Sequence, residues 1–342
     1  MVVSFVVVAY NAEKSIGSLF QCLQQQTYPK ELIDVILVDS NSKDRTKAIM
    51  EDFAANAHFR SIAVLDNPKR TLPCGWNVAL SHVRGDVVLR IDAHATMAED
   101  FIARNVQHLA DGKDISCGKV VSNLDHASAF GKTVNLAENS MFGGSVASFR
   151  RAEQPCYVST GAFAMYRKVI FDTVGGYNES LARTEDNEMH YRMKQAGYRF
   201  FYDPKIVTYR QTRPSFGKLL KQKYLNGYWI GLTMGVEPRC FSLYHFVPFA
   251  FVLGILFTSV FALLGIWLLA ALMWGLYALV AIAMTLMSVL GSEDRSAYCL
   301  LLPFMFFCLH VSYGTGTLVG LAKLPFWLRK RKKTNADKQG ER

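Results

Sequence analysis

A long stretch without charged side chains most constrains the fold of this chain. From Phe246 to Leu290 the sequence has no Asp, Glu, Lys, Arg or His. One helical membrane crossing needs about 20 predominantly apolar residues, so this stretch is long enough for a hairpin of two short helices. A second apolar run, Ala297–Ala322, contains only His310 from that set of residue types. The sequence therefore predicts a membrane region at residues 246–325, with two to three apolar segments.

Two arrangements fit the second apolar run. A full crossing would place the basic cluster Arg329–Lys333 across the membrane from a cytosolic N-terminal domain, against the positive-inside rule. The run also contains Pro303 and Gly314-Thr315-Gly316. We therefore favour a re-entrant or interfacial segment over a full span, followed by a basic cytosolic tail at residues 326–342.

The remainder of the chain is typical of an aqueous domain attached to a membrane. We predict that this domain covers residues 1–210 and that residues 211–245 form an amphipathic interfacial helix and a linker. Val2–Ala9 is too short for a signal peptide and follows no basic stretch, so we expect a cytoplasmic domain. The seven cysteines form no CxxC, which fits reduced thiols there.

The basic excess indicates membrane lipids as a partner. The formal net charge is +10, and its visible foci are Lys205–Arg239 and Arg329–Lys333, on either side of the predicted membrane region. Basic clusters in that position are better explained by anionic lipid headgroups and the positive-inside rule than by nucleic acid. We expect no nucleic-acid partner.

Apolar runs alternate with segments of helical spacing near the N-terminus. Val2–Ala9, Ile33–Val38 and Ser61–Leu65 are short apolar runs typical of buried strands. Their alternation with helical segments predicts βαβ units and a mainly parallel sheet, hence an α/β fold. Neither GxGxxG nor GxxxxGK[ST] occurs, which argues against NAD-dependent enzymes and P-loop ATPases.

The next predicted strand ends in two candidate metal ligands. Val87, Val88, Leu89 and Ile91 form a short apolar run, and Asp92-Ala93-His94 follows it directly. Open α/β sheets bind ligands beyond the carboxyl ends of their strands, and a carboxylate and an imidazole two residues apart can reach one divalent cation. The same residues also fit a helix N-cap beside a surface histidine, so the motif alone leaves both interpretations open.

Three successive motifs resemble those of one enzyme family. Val8-Ala9-Tyr10-Asn11-Ala12-Glu13, Val38–Thr46 and Asp92-Ala93-His94 are similar to the motifs of family 2 glycosyltransferases with a GT-A fold. Leu-Arg-Ile-Asp-Ala-His-Ala (89–95) resembles the bacterial ExoA-like, succinoglycan-type branch. The chain departs from the family pattern at Ala9, where proline is frequent, and at Ser40, where a second aspartate is frequent.

The resemblance implies a nucleotide-sugar site at the strand ends. Asp39 would accept the uracil N3–H, a pairing that discriminates strongly between bases when it is buried. Asp39 fits a simple turn former as well. The predicted substrate-binding residues are Tyr10, Asn11, Glu13, Asp39, Ser42, Asp44, Asn77, Gly161 and Arg213.

The resemblance also implies a divalent cation on Asp92 and His94, because Asp-Ala-His stands where the family commonly has Asp-x-Asp. Such an ion neutralises the diphosphate leaving group. Imidazole suits Mn²⁺ better than Mg²⁺, so we expect Mn²⁺ or Mg²⁺ and favour manganese.

Residues after Ala95 give weaker signals. We expect residues 119–150 to cover the site. Ser159–Arg167 is typical of an apolar strand, and the resemblance places an acceptor-side wall at its Gly161, although a plain core strand fits equally.

Thr184-Glu185-Asp186 opens the last predicted helix of the aqueous domain and matches the family's Glu-Asp motif. The resemblance implies that Glu185 and Asp186 are catalytic, with Asp186 as the general base for the acceptor hydroxyl. By themselves the same residues would only cap the helix and complement its dipole. We interpret His190, one turn later, as a surface helical residue rather than a ligand.

We therefore expect a metal-dependent, inverting glycosyltransferase in the cell membrane, multi-pass and with a cytoplasmic catalytic domain. The expected donor is a UDP-sugar, and the expected acceptor is a polyprenyl-diphosphate-linked saccharide in exopolysaccharide or capsule biosynthesis. Gln222 is not followed by the Arg-Trp of processive synthases, which favours single addition. The alternatives are a polyprenyl-phosphate sugar synthase and, less favoured, a processive synthase or a non-catalytic nucleotide-sugar binding protein.

Overall fold

The chain forms two units. The computed structural model describes residues 1–124, 127–144, 152–211, 215–292 and 296–340, with the backbone alone from 332 onward. One unit comprises Met1–Asn123 and Ala147–Gln211, and the other comprises Leu124–Val146 and Thr212–Arg342. The boundaries predicted at residues 210, 245 and 325 stay predictions.

A mixed β-sheet forms the first unit. Its strands are β1 (Val3–Ala9), β2 (Ile33–Asp39), β3 (Ser61–Asp66), β4 (Val87–Asp92), β5 (Ala95–Met97), β6 (Ile115–Asn123), β7 (Cys156–Val158), β8 (Met165–Arg167) and β9 (Phe200–Gln211). They lie in the order β3-β2-β1-β4-β8-β6-β9-β5, and β7 pairs with β9. The pairs β1–β2, β1–β4, β2–β3 and β6–β9 are parallel. The α/β class predicted from the sequence is confirmed.

Helices flank the sheet and form most of the second unit. In the first unit they are α1 (Ile16–Gln24), α2 (Thr46–Asn56), α3 (Leu72–Leu80), α4 (Phe101–Ala110), α6 (Lys168–Val174) and α7 (Glu185–Gln195). In the second unit they are α5 (Ala129–Asn139), α8 (Phe216–Thr233), α9 (Val247–Leu263), α10 (Leu268–Leu290) and α11 (Leu302–Gly340). Short 3₁₀ helices occur at Lys30–Leu32, Pro238–Cys240, Leu243–Phe246 and Ala297–Leu301.

Both faces of the central strands are buried. Phe5 and Val7 of β1 pack into the core that α1, α2 and α4 cover, whereas Val6 and Val8 pack into the core beneath α3, α6 and α7. Burial on both faces explains why these strands read as continuous apolar runs without a polar–apolar alternation.

Strands β6 and β9 extend the sheet beyond β8, and the sequence patterns did not predict them. Their pairing shifts after Gly118, which lies opposite Asp203, and resumes at Val207. The resulting bulge in β9 accommodates Pro204, which cannot donate to a regular ladder. Gly118 permits the bulge, because a Cβ at this position would lie 1.9 Å from the Ile206 carbonyl oxygen.

The single strand predicted at Ser159–Arg167 is wrong. Only Met165–Arg167 is a strand, β8, and the backbone before it is irregular. Phe163 has a φ of 49°, which an extended strand does not allow. The apolar residues of this stretch are divided between a loop and the short strand β8. Apolar composition alone therefore did not distinguish the loop from a strand.

Among the described residues of the second unit, three helical stretches are long and apolar enough to cross a membrane: Leu243–Leu263, Leu268–Leu290 and Ala297–Arg331. Their outer surfaces expose large apolar side chains such as Leu263, which is 88% exposed. Apolar surface of this extent suits a lipid environment. Helix α11 continues through Gly314–Gly316 and Pro325, so this helix lacks the break that the expected re-entrant turn would need.

Glycines bring the backbones of α8 and α11 into contact. A Cβ at Gly227 would lie 2.0 Å from the Tyr313 carbonyl oxygen, and one at Gly231 would lie 2.6 Å from the Leu321 nitrogen. Small residues four apart are typical of closely packed membrane helices. The structure thus has the helix predicted after residue 211, while its position at a membrane interface stays a prediction.

Helix α5 and the turn that follows it, residues 140–144, pack with the C-terminal helices. His310 Nε2 lies 2.6 Å from the Phe142 carbonyl oxygen, and Lys223 Nζ donates to the Gly143 carbonyl oxygen at 2.8 Å. Val134 of α5 joins the core of this unit. The expectation that residues 119–150 cover the active site stays a prediction.

We predict that Gly231→Ala destabilises the chain and that Gly217→Ala does not. Both glycines lie in α8, but a Cβ at Gly217 would meet no atom within 4 Å. Alanine raises helix propensity by about 1 kcal/mol at either position. At Gly231 overpacking against α11 costs about 1–3 kcal/mol and opposes that gain. Melting temperatures of the detergent-solubilised full chain test this, and equal rises in both variants would contradict the close contact.

Candidate active site

The carboxyl ends of three neighbouring parallel strands lie side by side. In the sheet register Ala9 of β1 is opposite Asp39 of β2, and Val8 is opposite Asp92 of β4. The next residue after β1, Tyr10, is 52% exposed. The register therefore places Tyr10, Asp39 and Asp92 along one edge of the sheet, where open α/β sheets bind their ligands.

Side-chain hydrogen bonds join the loops that follow β1 and β2. The Asn11 N–H donates to Ser42 Oγ at 3.0 Å, and Asn11 Oδ1 accepts from the Lys43 N–H at 2.8 Å. The Glu13 N–H donates to Asp44 Oδ2 at 3.2 Å. Four predicted substrate-binding residues, Asn11, Glu13, Ser42 and Asp44, are thus brought together, and they support the loop structure itself.

Asp39 has a free acceptor in a buried position. The residue is 2% exposed, and its Oδ2 accepts the Ser42 N–H at 3.1 Å. Its Oδ1 is buried and has no hydrogen-bond partner. A buried carboxylate oxygen without a donor is costly, so this atom fits a ligand that brings an N–H group.

Asp92 and His94 lie next to each other after β4. Their Oδ2 and Nε2 atoms are 3.9 Å apart, and the side chains are 31% and 50% exposed. Within the described parts of the chain, no group of three or more His, Cys, Asp or Glu side chains has metal-site geometry. This pair therefore fits an ion that takes its remaining ligands from substrate and water, and an oxygen–imidazole donor set suits Mn²⁺.

Glu185, the first residue of α7, points into the protein. It is 3% exposed, and its Oε1 lies 3.4 Å from Arg90 Nη2, while its Oε2 is buried without a partner. Burial and the neighbouring Asp186 charge raise the pKa of Glu185 to about 7, although Arg90 opposes this shift. This geometry fits a supporting residue better than a group in contact with substrate.

Asp186 differs from its buried neighbour. Its side chain is partly exposed, and its Oδ1 accepts the Asn187 N–H at 2.8 Å. A partly exposed carboxylate at a helix start can accept a proton from a hydroxyl that approaches from solvent.

The surface position expected for His190 is wrong. The residue is 4% exposed, and its ring nitrogens lie 2.7 Å from Thr160 Oγ1 and 3.1 Å from Tyr166 Oη. Burial lowers the pKa of His190 to about 4, so the ring is neutral near pH 7. The spacing of apolar residues along α7 did not indicate that His190 is buried, because this helix is covered on more than one face.

Three further predicted site residues have other surroundings. The Asn77 amide donates to the Tyr177 carbonyl oxygen at 2.9 Å and accepts the Tyr177 N–H at 2.7 Å, so it clamps that backbone. Gly161 is required by packing, because a Cβ there would lie 2.3 Å from Cys117 Sγ. Arg213 lies outside the described residues.

Sequence reasoning missed Arg90 and the two aromatic residues around it. Its guanidinium carbon lies 4.6 Å from the ring centre of Trp76 and 5.4 Å from that of Tyr177. Burial disfavours the guanidinium charge, but nearby Tyr177, Glu185, Asp92 and Asp186 outweigh burial and raise the pKa of Arg90 well above its usual value. The sequence feature that could have indicated this role is the position of Arg90, a charged residue within an otherwise apolar strand.

Comparison with known proteins identifies related sequences and folds. Residues 4–175 match the family model described as Glycosyl transferase family 2. The chain is 23% identical, over 94% of its length and 97% of the relative, to dolichyl N-acetyl-alpha-D-glucosaminyl phosphate 3-beta-D-2,3-diacetamido-2,3-dideoxy-beta-D-glucuronosyltransferase of Methanococcus voltae. It is 28% identical to the succinoglycan biosynthesis protein ExoA of Rhizobium meliloti, over 75% of this chain and 83% of that protein.

One solved structure shares the fold over most of the chain. A mannosyltransferase from Pyrobaculum calidifontis, in complex with GDP-Man and Mn²⁺, superposes with a TM-score of 0.53 and 19% identity. The likeness covers 96% of this chain and 86% of that one. It supports the GT-A fold of the present chain.

We predict that Asp39→Asn weakens UDP binding roughly 5- to 150-fold, because an amide in place of Oδ1 or Oδ2 loses charge and can present a donor to the uracil N–H. Asp34→Asn is a matched control, since Asp34 is also buried on β2 but bonds Arg60 and Ser61. The control variant should lose stability and keep its UDP affinity. Calorimetric titration with UDP tests both variants, and unchanged binding in Asp39→Asn would remove this residue from the nucleotide site.

Proposed function

Because the chain belongs to glycosyl transferase family 2, we propose that it is a membrane-anchored, inverting enzyme. It transfers one sugar from a UDP-sugar to a polyprenyl-diphosphate-linked saccharide during exopolysaccharide or capsule biosynthesis. The observation that carries this proposal is the common edge of the sheet on which Asp39 and Asp92 end β2 and β4, the two strands that flank β1. A nucleotide and its diphosphate would extend along that edge.

Asp39 recognises the base of the donor. Its unpartnered Oδ1 accepts the uracil N3–H, while the bond from the Ser42 N–H holds the other oxygen in place. A base that presents no N–H at this position leaves the buried oxygen unpaired, so the pairing selects uracil strongly. Tyr10, on the exposed end of β1, lines the same nucleotide.

Asp92 and His94 hold a divalent cation. When bound, a cation there offsets the negative charge that develops on the departing diphosphate. The two side chains leave most coordination positions to substrate oxygens and water, as cations that act on phosphates commonly require.

Asp186 activates the acceptor. Its carboxylate takes the proton of the acceptor hydroxyl while that oxygen attacks the anomeric carbon, and the bond to the diphosphate breaks on the opposite side. One displacement inverts the configuration, so an α-linked donor yields a β-glycoside. A positioned general base contributes roughly 10²–10⁴ in rate.

Two observations support a lipid-linked acceptor. The C-terminal part has three helices of membrane-spanning length and composition. The related Methanococcus voltae enzyme is named for a dolichyl-linked acceptor. The proposed enzyme needs an acceptor that already carries a sugar on a polyprenyl diphosphate. A polyprenyl-phosphate sugar synthase, the alternative, needs only the lipid phosphate. Thin-layer analysis of labelled lipids, with and without that acceptor, separates the two.

We predict that chelation with EDTA abolishes transfer and that Mn²⁺ restores it better than Mg²⁺. His94→Asp provides the sharper measurement, because it replaces an imidazole with a hard oxygen ligand. The variant should favour Mg²⁺ over Mn²⁺ more than the unaltered chain does. Transfer rates across a series of both ions test this. Full activity in chelator would contradict a metal role for Asp92 and His94.

We predict that Asp186→Asn keeps UDP affinity and loses at least about 100-fold in transfer rate, which corresponds to roughly 3 kcal/mol. Asparagine is nearly isosteric but takes no proton at neutral pH. If Asp186 serves only the helix start, the change would cost under about 1 kcal/mol of stability and leave the rate intact. UDP affinity, melting temperature and transfer rate, measured on one preparation, distinguish these outcomes.

A further inference from the structure

Arg90 is a buried cation in an apolar strand. It lies on β4 two residues before Asp92, and its side chain is only 15% exposed. Burying a guanidinium is costly unless the group is paired and hydrogen-bonded. The three contacts that hold it therefore indicate what it does.

Two of these contacts come from aromatic rings on other elements. The guanidinium carbon lies 4.6 Å from the ring centre of Trp76 of α3 and 5.4 Å from that of Tyr177. The two ring centres are 6.4 Å apart, so the guanidinium lies beside both rings. Asn77, next to Trp76, fixes the Tyr177 backbone through its side-chain amide and carbonyl groups. Helix α3 thus carries one of the two rings and fixes the backbone of the other, and both rings favour a cation at this position.

The third contact leads to the start of α7. Arg90 Nη2 lies 3.4 Å from Glu185 Oε1, and Glu185 directly precedes Asp186. One turn further along α7, His190 bonds Thr160 and Tyr166. Helix α7 therefore has two buried side-chain anchors, and the first of them is attached to the strand that ends at Asp92.

We propose that Arg90 is a positioning residue for glycosyl transfer: by binding Glu185, it fixes Asp186 relative to Asp92. This inference rests on the proposed function, in which Asp186 is the general base and Asp92 marks the diphosphate. Arg90 does not touch substrate. It acts through Glu185, and its positive charge also allows three carboxylates, Asp92, Glu185 and Asp186, to lie near one another.

The rate of glycosyl transfer depends strongly on where the general base lies relative to the reacting atoms. Misplacing a reacting group by about 1 Å can cost on the order of 100-fold in rate, even when substrate binding is unaffected. Loss of Arg90 would free the α7 start to move away from β4. Neither Asp39 nor the pair Asp92 and His94 is removed by this change, so donor binding should persist.

The test uses the detergent-solubilised full chain with UDP as the binding probe and UDP release from the active sugar nucleotide as the rate. We expect Arg90→Gln and Glu185→Ala each to lower kcat roughly 10- to 100-fold, with UDP affinity within about threefold of the unaltered chain. The double variant should be no slower than the slower single variant, since both break one contact. Arg90→Lys keeps the charge and should recover part of the rate.

Arg60→Gln is the matched control. Arg60 forms an ion pair at 2.9 Å with the buried Asp34. Asp34 lies on β2, a different strand from the one that carries Arg90. Loss of Arg60 should lower the melting temperature and leave kcat per folded molecule unchanged. An Arg90→Gln variant that loses stability alone, or multiplicative losses in the double variant, would overturn the positioning role.

Asp186→Asn separates this inference from the proposed function. In that background, Arg90→Gln should cause no further loss of rate, because no base remains to be positioned. A near-normal rate for Asp186→Asn would overturn the proposed base and the positioning role together. An inactive Asp186→Asn beside a fully active Arg90→Gln would overturn the positioning role alone.

Discussion

The parallel register of β1 with its two neighbours is the constraint on which the site depends. Hydrogen bonding fixes Ala9 opposite Asp39 and Val8 opposite Asp92. Because both faces of these strands are buried, a slip of one residue in either pair would exchange the side chains of the two cores and change the spacing of the two carboxylates. The same apolar side chains that stabilise the sheet therefore set the spacing between the base-recognition position and the proposed metal position.

Two carboxylates near this site each have a buried oxygen without a hydrogen-bond partner. Asp39 Oδ1 and Glu185 Oε2 are both buried without partners, yet their surroundings differ. Asp39 stands at a strand end, and its other oxygen accepts the N–H of Ser42 in the loop that follows. Glu185 lies behind the helix start, against Arg90, where the cost of its free oxygen is offset by a neighbouring cation. We propose that the first oxygen serves recognition of the donor and that the second belongs to a positioning contact.

Local sequence patterns predicted the parallel part of the sheet because its strands are continuous apolar runs with polar ends. The same patterns place Asp39 and Asp92 at those ends. Other features depend on contacts between residues far apart in the chain. The bulge of β9 requires Gly118, the burial of Arg90 requires Trp76 and Tyr177, and none of these partners is implied by local periodicity. The catalytic roles assigned to Asp92, His94 and Asp186 remain predictions.

The packing of residues 124–146 with the C-terminal helices has a consequence for the order of synthesis. This segment leaves the ribosome well before α8 and α11, the helices that cover its apolar side chains. Until those helices emerge, Val134 and Ala137 lack their partners. The sheet unit, whose last strand is β9, is complete in sequence before that happens. A chain shortened before α8 would leave the apolar side chains of α5 without these partners, so removing the C-terminal helices would expose them to water.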